Sequence, residues 1–388
     1  MLETLYLDHA ATAPLAPGVA EAIQAALVEA PGNPSSQHAP GRCAAARIDQ
    51  AAEQVAGLIN AAPGELIWTS GATEASNLAL RGVAEFAGEG GHIVSVVTEH
   101  PATRDTLKAL ARQGVRVDWL AVDGDGAIDH AQLDAALAEQ PDLVSIMQVN
   151  NETGVVHDIP AIAARCAEAG VPLHVDAAQS LGRLAIDVAT TPIALMSLSA
   201  HKIGGPKGIG ALYVRRRAPR AGLAPQILGG GQQRGLRAGT LPTHQIVGFG
   251  AAAAWAVEQG LLLQPEWAEL RERLWSAIAG LGGLGRNGRA ETTAAPFLSV
   301  SVAGVHGGAL LAGLTEGEPA LAVSTGAACS AAKGESSHVV RAMGVAPREA
   351  AATIRFSLGP GIDAVAIDAA AARFVAEVQR LRALAAAA

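Results

Sequence analysis

Cysteine is scarce in this chain. Only three of its 388 residues are cysteines, and no two of them form a CxxC pair. A disulfide-stapled secreted domain needs more cysteines at regular spacing, so we expect a protein of a reducing compartment, the cytoplasm. The start of the chain, MLETLYLDHA, also lacks a basic region followed by an apolar one, so no cleavable signal is predicted.

Long apolar runs and excess positive charge are absent as well. Gly, Pro or charged residues break every apolar window well before membrane-spanning length, which predicts no membrane association. Lys and Arg number 28 against 36 Asp and Glu, so the net charge is −8. This balance argues against direct nucleic-acid binding, and the short basic clusters at 215–217 and around Arg271 are interpreted as solvated charge.

What the chain does have is a series of apolar, strand-like runs that alternate with amphipathic, helix-like stretches. The apolar runs have parallel-strand character and lie at 65–70, 92–97, 115–122, 143–149, 172–177 and 194–199, with amphipathic stretches such as 44–59 and 159–170 between them. This alternation predicts an α/β fold with a mostly parallel sheet covered by helices. Ligands of such sheets bind at the carboxyl ends of the strands.

The pattern changes after residue 260. A helix over 265–281 places Trp267 and Leu274 on one face, and strand-like runs follow at 297–302, 321–325 and 353–358. We therefore expect a large domain over 15–260 and a smaller α+β domain formed by 1–14 and 261–388.

The strand ends carry polar residues suited to an anionic ligand. SGATEASN (70–77) follows a strand and opens a helix, whose free N–H groups suit a phosphate. The alternative is an ordinary helix cap provided by Ser70 or Thr73. His100 in TEHPA and the polar VNNETG (149–154) also follow strands, but each by itself fits a structural role.

An acid and a lysine follow two further strands. Asp176 in HVDAAQS leaves an apolar strand, where a carboxylate needs a cation or a metal; further metal ligands at short spacing are missing, so no metal site is predicted. Lys202 in SLSAHK follows another apolar strand, where desolvation favours the nucleophilic amine that Schiff-base chemistry requires. Ser199 and His201 beside it suit a phosphate. The residues alone leave pyridoxal phosphate and an unspecified phosphate ligand as open alternatives.

Lys207, in the turn GGPKGIG, is the other lysine of this region. The P-loop pattern is absent because neither Ser nor Thr follows the lysine. We interpret Lys207 as solvated or structural.

Longer motifs extend over almost the whole chain, and in them the sequence resembles the cysteine desulfurases. These belong to the class V aminotransferase group of fold type I pyridoxal-phosphate enzymes. The motifs are YLDHAATAP (6–14), GNPSSQH (32–38), TSGATEASN (69–77), TEHPA (98–102), VNNETGVVHDI (149–159), HVDAAQS (174–180), SLSAHKIGGPKGIGALYVRR (197–216), GGGQQRGLRAGTLPTHQIVG (229–248), STGAACS (324–330) and TIRFSLG (353–359). The resemblance implies a seven-stranded sheet and a homodimer.

The resemblance also implies a role for each site residue. Lys202 would hold the cofactor covalently, Asp176 would pair with its pyridinium nitrogen, Gln179 would bond its phenolic oxygen, and His100 would stack on the ring and assist proton transfer. The phosphate would be held by Ala72, Thr73, Ser199 and His201, and by Thr240 of the dimer partner. The substrate carboxylate would be bound by Asn33, Asn151 and Arg355.

Cys329 lies in a loop of small residues, STGAACSAAKGESS, which favours access, whereas Cys166 and Cys43 are interpreted as buried small hydrophobes. The resemblance implies that the Cys329 thiolate, with His100 as candidate base, takes sulfur from L-cysteine as a persulfide and leaves L-alanine. The sulfur would then pass to an acceptor protein for iron–sulfur cluster assembly or for tRNA or cofactor thiolation. Selenocysteine lyase or another class V activity, and a non-catalytic interaction platform, are the alternatives.

Overall fold

The centre of the protein is a seven-stranded sheet, seen in a computed structural model that describes residues 4–325 and 336–387. In chain order its strands are β2 (Leu66–Thr69), β3 (His92–Val96), β4 (Arg116–Leu120), β5 (Leu143–Met147), β6 (Leu173–Asp176), β7 (Leu195–Ser199) and β8 (Gly210–Val214). Their order across the sheet is β2-β8-β7-β6-β5-β3-β4. All neighbours from β4 to β7 pair in parallel, and only β8 runs antiparallel to both of its neighbours. The predicted mostly parallel sheet is confirmed.

Helices cover both faces of this sheet. They are α1 (Val19–Glu29), α2 (Ala39–Gly57), α3 (Ala72–Ala87), α4 (Pro101–Ala111), α5 (His130–Ala138), α6 (Ile159–Glu168) and α7 (Thr243–Trp255). One buried cluster joins α2, α6 and α7 to the sheet, and a second joins α3 and α4 to its other face. Strands β3, β5 and β7 are buried at every position, which explains why they read as continuous apolar runs.

A second core is built from the last third of the chain together with its N-terminal strand. It contains an antiparallel sheet of β9 (Leu284–Arg286), β10 (Phe297–Val302) and β12 (Thr353–Ser357), and a short parallel pair of β1 (Leu5–Tyr6) and β11 (Leu321–Ala322). Its helices are α8 (Gln264–Ile278), α9 (Gly307–Glu316), α10 (His338–Ala342), α11 (Pro347–Ala351) and α12 (Ala364–Ala387). As predicted, α8 buries Trp267 and Leu274. The strand expected over 321–325 is shorter, because its partner β1 has only two residues.

The segment after β1 connects the two cores. Leu7 packs in the second core, while the N–H of Ala13 donates to the carbonyl of His201, beyond the end of β7. The N–H of Ala10 in turn donates to the Ser357 hydroxyl of β12. The N-terminal segment therefore brings β12 of one core against the strand ends of the other.

The two cysteines that the structure describes differ in burial. Cys166 is fully buried on α6, as expected. The expectation for Cys43 was wrong, because α2 turns this side chain to solvent while its buried stripe runs through Ala44 and Ile48.

No single helix in the described ranges is both long enough and apolar enough to cross a membrane. Two consecutive helical segments, 243–260 and 264–281, would be long and apolar enough if taken together. Their axes are bent by 73° relative to each other, and the match rests on length and composition alone.

Candidate active site

A cavity of about 520 Å³ opens at the carboxyl ends of β2, β3, β5, β6 and β7. The predicted site residues that line it are Ala72, Thr73, His100, Asn151, Asp176, Gln179, Ser199, His201, Lys202 and Arg355. Asn33 and Thr240 are exposed and lie outside this lining. Cys329 lies outside the described residues.

The N-terminus of α3 forms one side of this cavity. Gly71 is its N-cap residue, with a φ of +154° that side chains rarely allow, and no side chain caps the helix. The alternative of a cap by Ser70 or Thr73 was therefore wrong. The first N–H groups of α3, at Ala72 and Thr73, remain available at the cavity, where the helix dipole favours an anion.

Lys202 and Asp176 provide the central charges. Asp176 is 6% exposed at the end of β6, and its Oδ1 accepts a hydrogen bond of 2.9 Å from the N–H of Ala178. The Lys202 side chain is half-buried, and desolvation of its amine lowers the pKa to about 8, although the nearby Asp176 charge opposes this shift. Roughly a tenth of the amine is therefore unprotonated at pH 7.

His100 both lines the cavity and caps α4. Its Nδ1 accepts a hydrogen bond of 3.1 Å from the N–H of Ala102. Burial, followed by the Lys202 charge, lowers the pKa of His100, so the ring is neutral at pH 7. A neutral ring that accepts at Nδ1 carries its proton on Nε2.

Gln179 lies beside Asp176 at the start of the next segment. Its Nε2 donates a hydrogen bond of 2.8 Å to the carbonyl of Ala10, and its Oε1 accepts one of 2.5 Å from Arg183. The amide orientation is thereby assigned, and the second Nε2 hydrogen stays free to bind an acceptor oxygen in the cavity.

Arg355 of β12 is the cavity's guanidinium group. Its Nη2 lies 2.6 Å from Oδ1 of Asp8, and its Nη1 donates to the carbonyl of Asn151 at 2.5 Å. Among the residues that the structure describes, its buried Nε has no hydrogen-bond partner, and neither has Oδ1 of Asn151. Unpaired buried polar atoms are costly, so both atoms indicate a missing polar ligand.

Two buried acids adjoin these residues, and neither was given a specific site role from the sequence. Glu99 precedes His100 and is fully buried; burial and then the Asp176 charge raise its pKa well above 4.5. Glu152, in VNNETG, lines the cavity and accepts a hydrogen bond from the Ser337 hydroxyl. Glu99 could have been found by the same signal as Asp176, because in HIVSVVTEH an acid follows an apolar strand.

The donor set fits pyridoxal phosphate. The amine of a half-buried lysine, a nearby carboxylate, and a helix N-terminus beside a serine and a histidine suit the cofactor's aldehyde, ring nitrogen and phosphate. The described residues contain no group of three or more His, Cys, Asp or Glu that could hold a metal ion. Asp176 instead has a cationic neighbour in Lys202.

Comparisons with known proteins agree with this geometry. The family model described as "Aminotransferase class-V" matches residues 5–369. The cysteine desulfurase IscS of Proteus mirabilis is 47% identical over 382 residues, covering 97% of this chain and 93% of that protein. A solved NifS-like protein superposes with a TM-score of 0.89 at 32% identity, covering 98% of this chain and all of the other.

A third relative was solved as "SspA in complex with cysteine". It is 35% identical with a TM-score of 0.79, and the match covers 92% of this chain and 99% of that one. The chain belongs to the class-V aminotransferase family and, within it, to the cysteine desulfurases, which are pyridoxal-phosphate-dependent enzymes.

Proposed function

We propose that this protein converts L-cysteine to L-alanine and transfers the sulfur, as a persulfide on Cys329, to an acceptor. The observation that carries this proposal is the lysine of depressed pKa beside Asp176, within a cavity that ends in an arginine. The SspA relative, whose structure contains cysteine, supports the choice of substrate.

The cofactor would be held by residues from several strand ends. Lys202 would be the attachment residue, Asp176 would pair with the ring nitrogen, Gln179 would donate to the phenolic oxygen, and His100 would cover the ring. The phosphate would be held by Ala72, Thr73, Ser199 and His201, with Thr240 contributed by the dimer partner. When bound, pyridoxal phosphate withdraws electrons from the substrate Cα, which labilises its bonds.

The substrate carboxylate is bound by Arg355 together with Asn151 and Asn33. Arg355 suits this role because two of its nitrogens are already oriented by Asp8 and the Asn151 carbonyl. A guanidinium fork fixed in this way binds a carboxylate at a lower cost in conformational entropy.

Proton transfer depends on two groups of the cavity. The unprotonated fraction of the Lys202 amine can accept a proton from the substrate, because its pKa is about 8. His100 is the second group, and its hydrogen bond from Ala102 makes Nε2 a donor toward the cavity. For His100 to act as a base at Nε2, its proton must move to Nδ1 and the α4 cap must break.

The thiolate of Cys329 completes the reaction. It attacks the substrate sulfur, the sulfur–carbon bond breaks, and a sulfur–sulfur bond forms on Cys329. The carbon keeps the bonding electrons and takes a proton, so that the products are a persulfide and L-alanine.

The decisive experiment measures alanine and sulfide release from L-cysteine under a reductant. We expect turnover in the wild type, persulfide on Cys329 by mass spectrometry, and no turnover in C329A. The matched controls are C166A and C43S, which should keep wild-type turnover. Full turnover in C329A would contradict the proposal, and a selenocysteine preference that survives this substitution would indicate a lyase instead.

We further propose a cytoplasmic homodimer with a large domain over 15–260 and a smaller one formed by 1–14 and 261–388. The acceptor is a protein of iron–sulfur cluster assembly or of tRNA or cofactor thiolation, without direct nucleic-acid or membrane contact. Loading Cys329 with radioactive sulfur and mixing the enzyme with each acceptor class measures the transfer. Sedimentation measures the oligomeric state.

A further inference from the structure

Arg183 is a buried cation without a carboxylate partner in the part of the chain that the structure describes. It is 6% exposed and forms no ion pair among residues 4–325 and 336–387. Its four hydrogen bonds all go to neutral oxygens: the carbonyl of Gln179 at 3.1 Å, Oε1 of Gln179 at 2.5 Å, and the carbonyls of His9 and Lys202 at 3.2 Å each. An unpaired buried charge is expensive to keep.

These bonds connect Arg183 to two site residues and to the segment that joins the two cores. One terminal nitrogen holds the Gln179 amide with its oxygen turned away from the cavity, so that its NH₂ group is presented. The other holds the backbone of Lys202 against that of His9. The guanidinium carbon lies over the Phe297 ring of β10, 5.7 Å from its centroid, and the ring face attracts the cation without supplying an anion.

The charge of Arg183 also acts on Lys202. The charged groups that act on the Lys202 amine are Asp176 from the end of β6, Arg355 from β12 and Arg183, with His100 and His201 as neutral neighbours. Asp176 favours the ammonium form, and both arginines oppose it. Among the described residues Arg183 has no carboxylate partner to reduce this field, whereas Arg355 is paired with Asp8.

We propose that Arg183 is a positioning residue of the active site, which holds Gln179 and the Lys202 backbone in place and puts a positive charge near the Lys202 nitrogen. The proposal rests on the proposed function, because it takes Lys202 as the cofactor attachment residue. Arg183 itself does not touch the reacting atoms.

The experiment follows the visible absorbance of the bound cofactor against pH in the holoenzyme. R183Q removes the charge, and we expect the midpoint of the absorbance change to rise by about one pH unit, a roughly tenfold change in acid dissociation. R183K keeps the charge but cannot form all four hydrogen bonds. We expect it to keep the wild-type midpoint while its affinity for pyridoxal phosphate falls.

Arg215 provides a matched control. It is 7% exposed and also donates to carbonyl oxygens, those of Val188 and Thr191, at the far end of the sheet. R215Q should lower the thermal stability of the protein without moving the absorbance midpoint. This separates loss of a buried arginine in general from loss of the charge beside Lys202.

An unchanged midpoint in R183Q, or an equal shift in R183K and R183Q, would overturn the proposal. If R183Q does not retain cofactor, R183K still decides the question, because a shifted midpoint there contradicts a role for the charge. Borohydride reduction followed by peptide mapping of the wild type tests Lys202 separately. A cofactor attached elsewhere overturns both proposals, whereas attachment at Lys202 with an unmoved R183Q midpoint overturns only this one.

Discussion

The guanidinium of Arg355 lies 2.6 Å from the carboxylate of Asp8, at the point where the two cores of the protein meet. Arg355 belongs to β12 and Asp8 to the segment after β1. An isolated parallel β-bridge between Asp8 and Ser357 joins the backbones of these two segments. This ion pair orients a cation that lines the cavity.

Loss of Arg355 should act mainly on substrate binding. We expect R355Q to raise KM for L-cysteine by about ten- to a hundredfold, because a hydrogen bond to a charged group contributes about 1.5–3 kcal/mol. D8N should raise KM less, since the arginine stays but loses its orientation. Steady-state kinetics check both, with R273Q as control, whose ion pair with Asp368 is half exposed. Unchanged KM in R355Q would exclude the carboxylate role.

The depressed pKa of Lys202 predicts a pH dependence of stability. In the apoprotein the folded-state pKa is about 8 and the ordinary value is 10.5, so between these values the unfolded chain binds more protons. The free energy of unfolding of the wild type should therefore rise with pH in this window relative to K202M. Between pH 7 and 9.5 we expect a relative gain of up to about 2 kcal/mol in urea titrations. Parallel curves for the two proteins would contradict a lowered pKa of Lys202 in the folded state.

Glu99 predicts the opposite slope at lower pH. Its carboxyl group accepts a hydrogen bond of 2.6 Å from the N–H of Met147 and has a raised pKa in the folded state. Above pH 4.5 the unfolded chain ionises first, so wild-type stability should fall with rising pH relative to E99Q. Unfolding titrations from pH 4 to pH 8 measure the difference. E139Q, at a largely exposed side chain, is the control that should leave the pH dependence unchanged.

His174 occupies the layer directly beneath the cavity. Its Nδ1 and Nε2 lie 2.8 and 2.9 Å from the hydroxyls of Ser145 and Ser197, and Ser76 of α3 donates to Ser197 at 3.0 Å. The chain of hydrogen bonds thus joins the strand of Asp176 to the helix whose N-terminus lines the cavity.

We expect H174A to lower the free energy of unfolding by about 2–5 kcal/mol, because it leaves a cavity and buried hydroxyls without a partner. Affinity for pyridoxal phosphate should fall as well, since Asp176 is two residues further along β6. Urea unfolding and cofactor titration measure the two effects. H92N, at a histidine paired with Asp118 near the sheet edge, should leave the cofactor affinity unchanged; an equal loss there would indicate a purely global effect.

Much of the fold and of the site was predictable from the sequence because the relevant signals are local. A parallel strand buried on both faces must be an apolar run, and this placed β3, β5 and β7 correctly. Asp176 and Lys202 each follow such a strand, so the burial of their charges, and the chemistry that this burial demands, could be argued from neighbouring residues alone.

Other features depend on contacts between residues far apart in the chain, and no local pattern encodes them. The pairing of Asp8 with Arg355, the unpaired charge of Arg183 and the short β11 follow from how the two cores meet. Exposure of Cys43 was decided by which stripe of α2 faces the sheet. The sequence by itself therefore determined the apolar strands and the polar residues at their ends that we propose for the chemistry, whereas the tertiary structure decided the protonation and orientation of those side chains, because both depend on distant charges and hydrogen-bond partners.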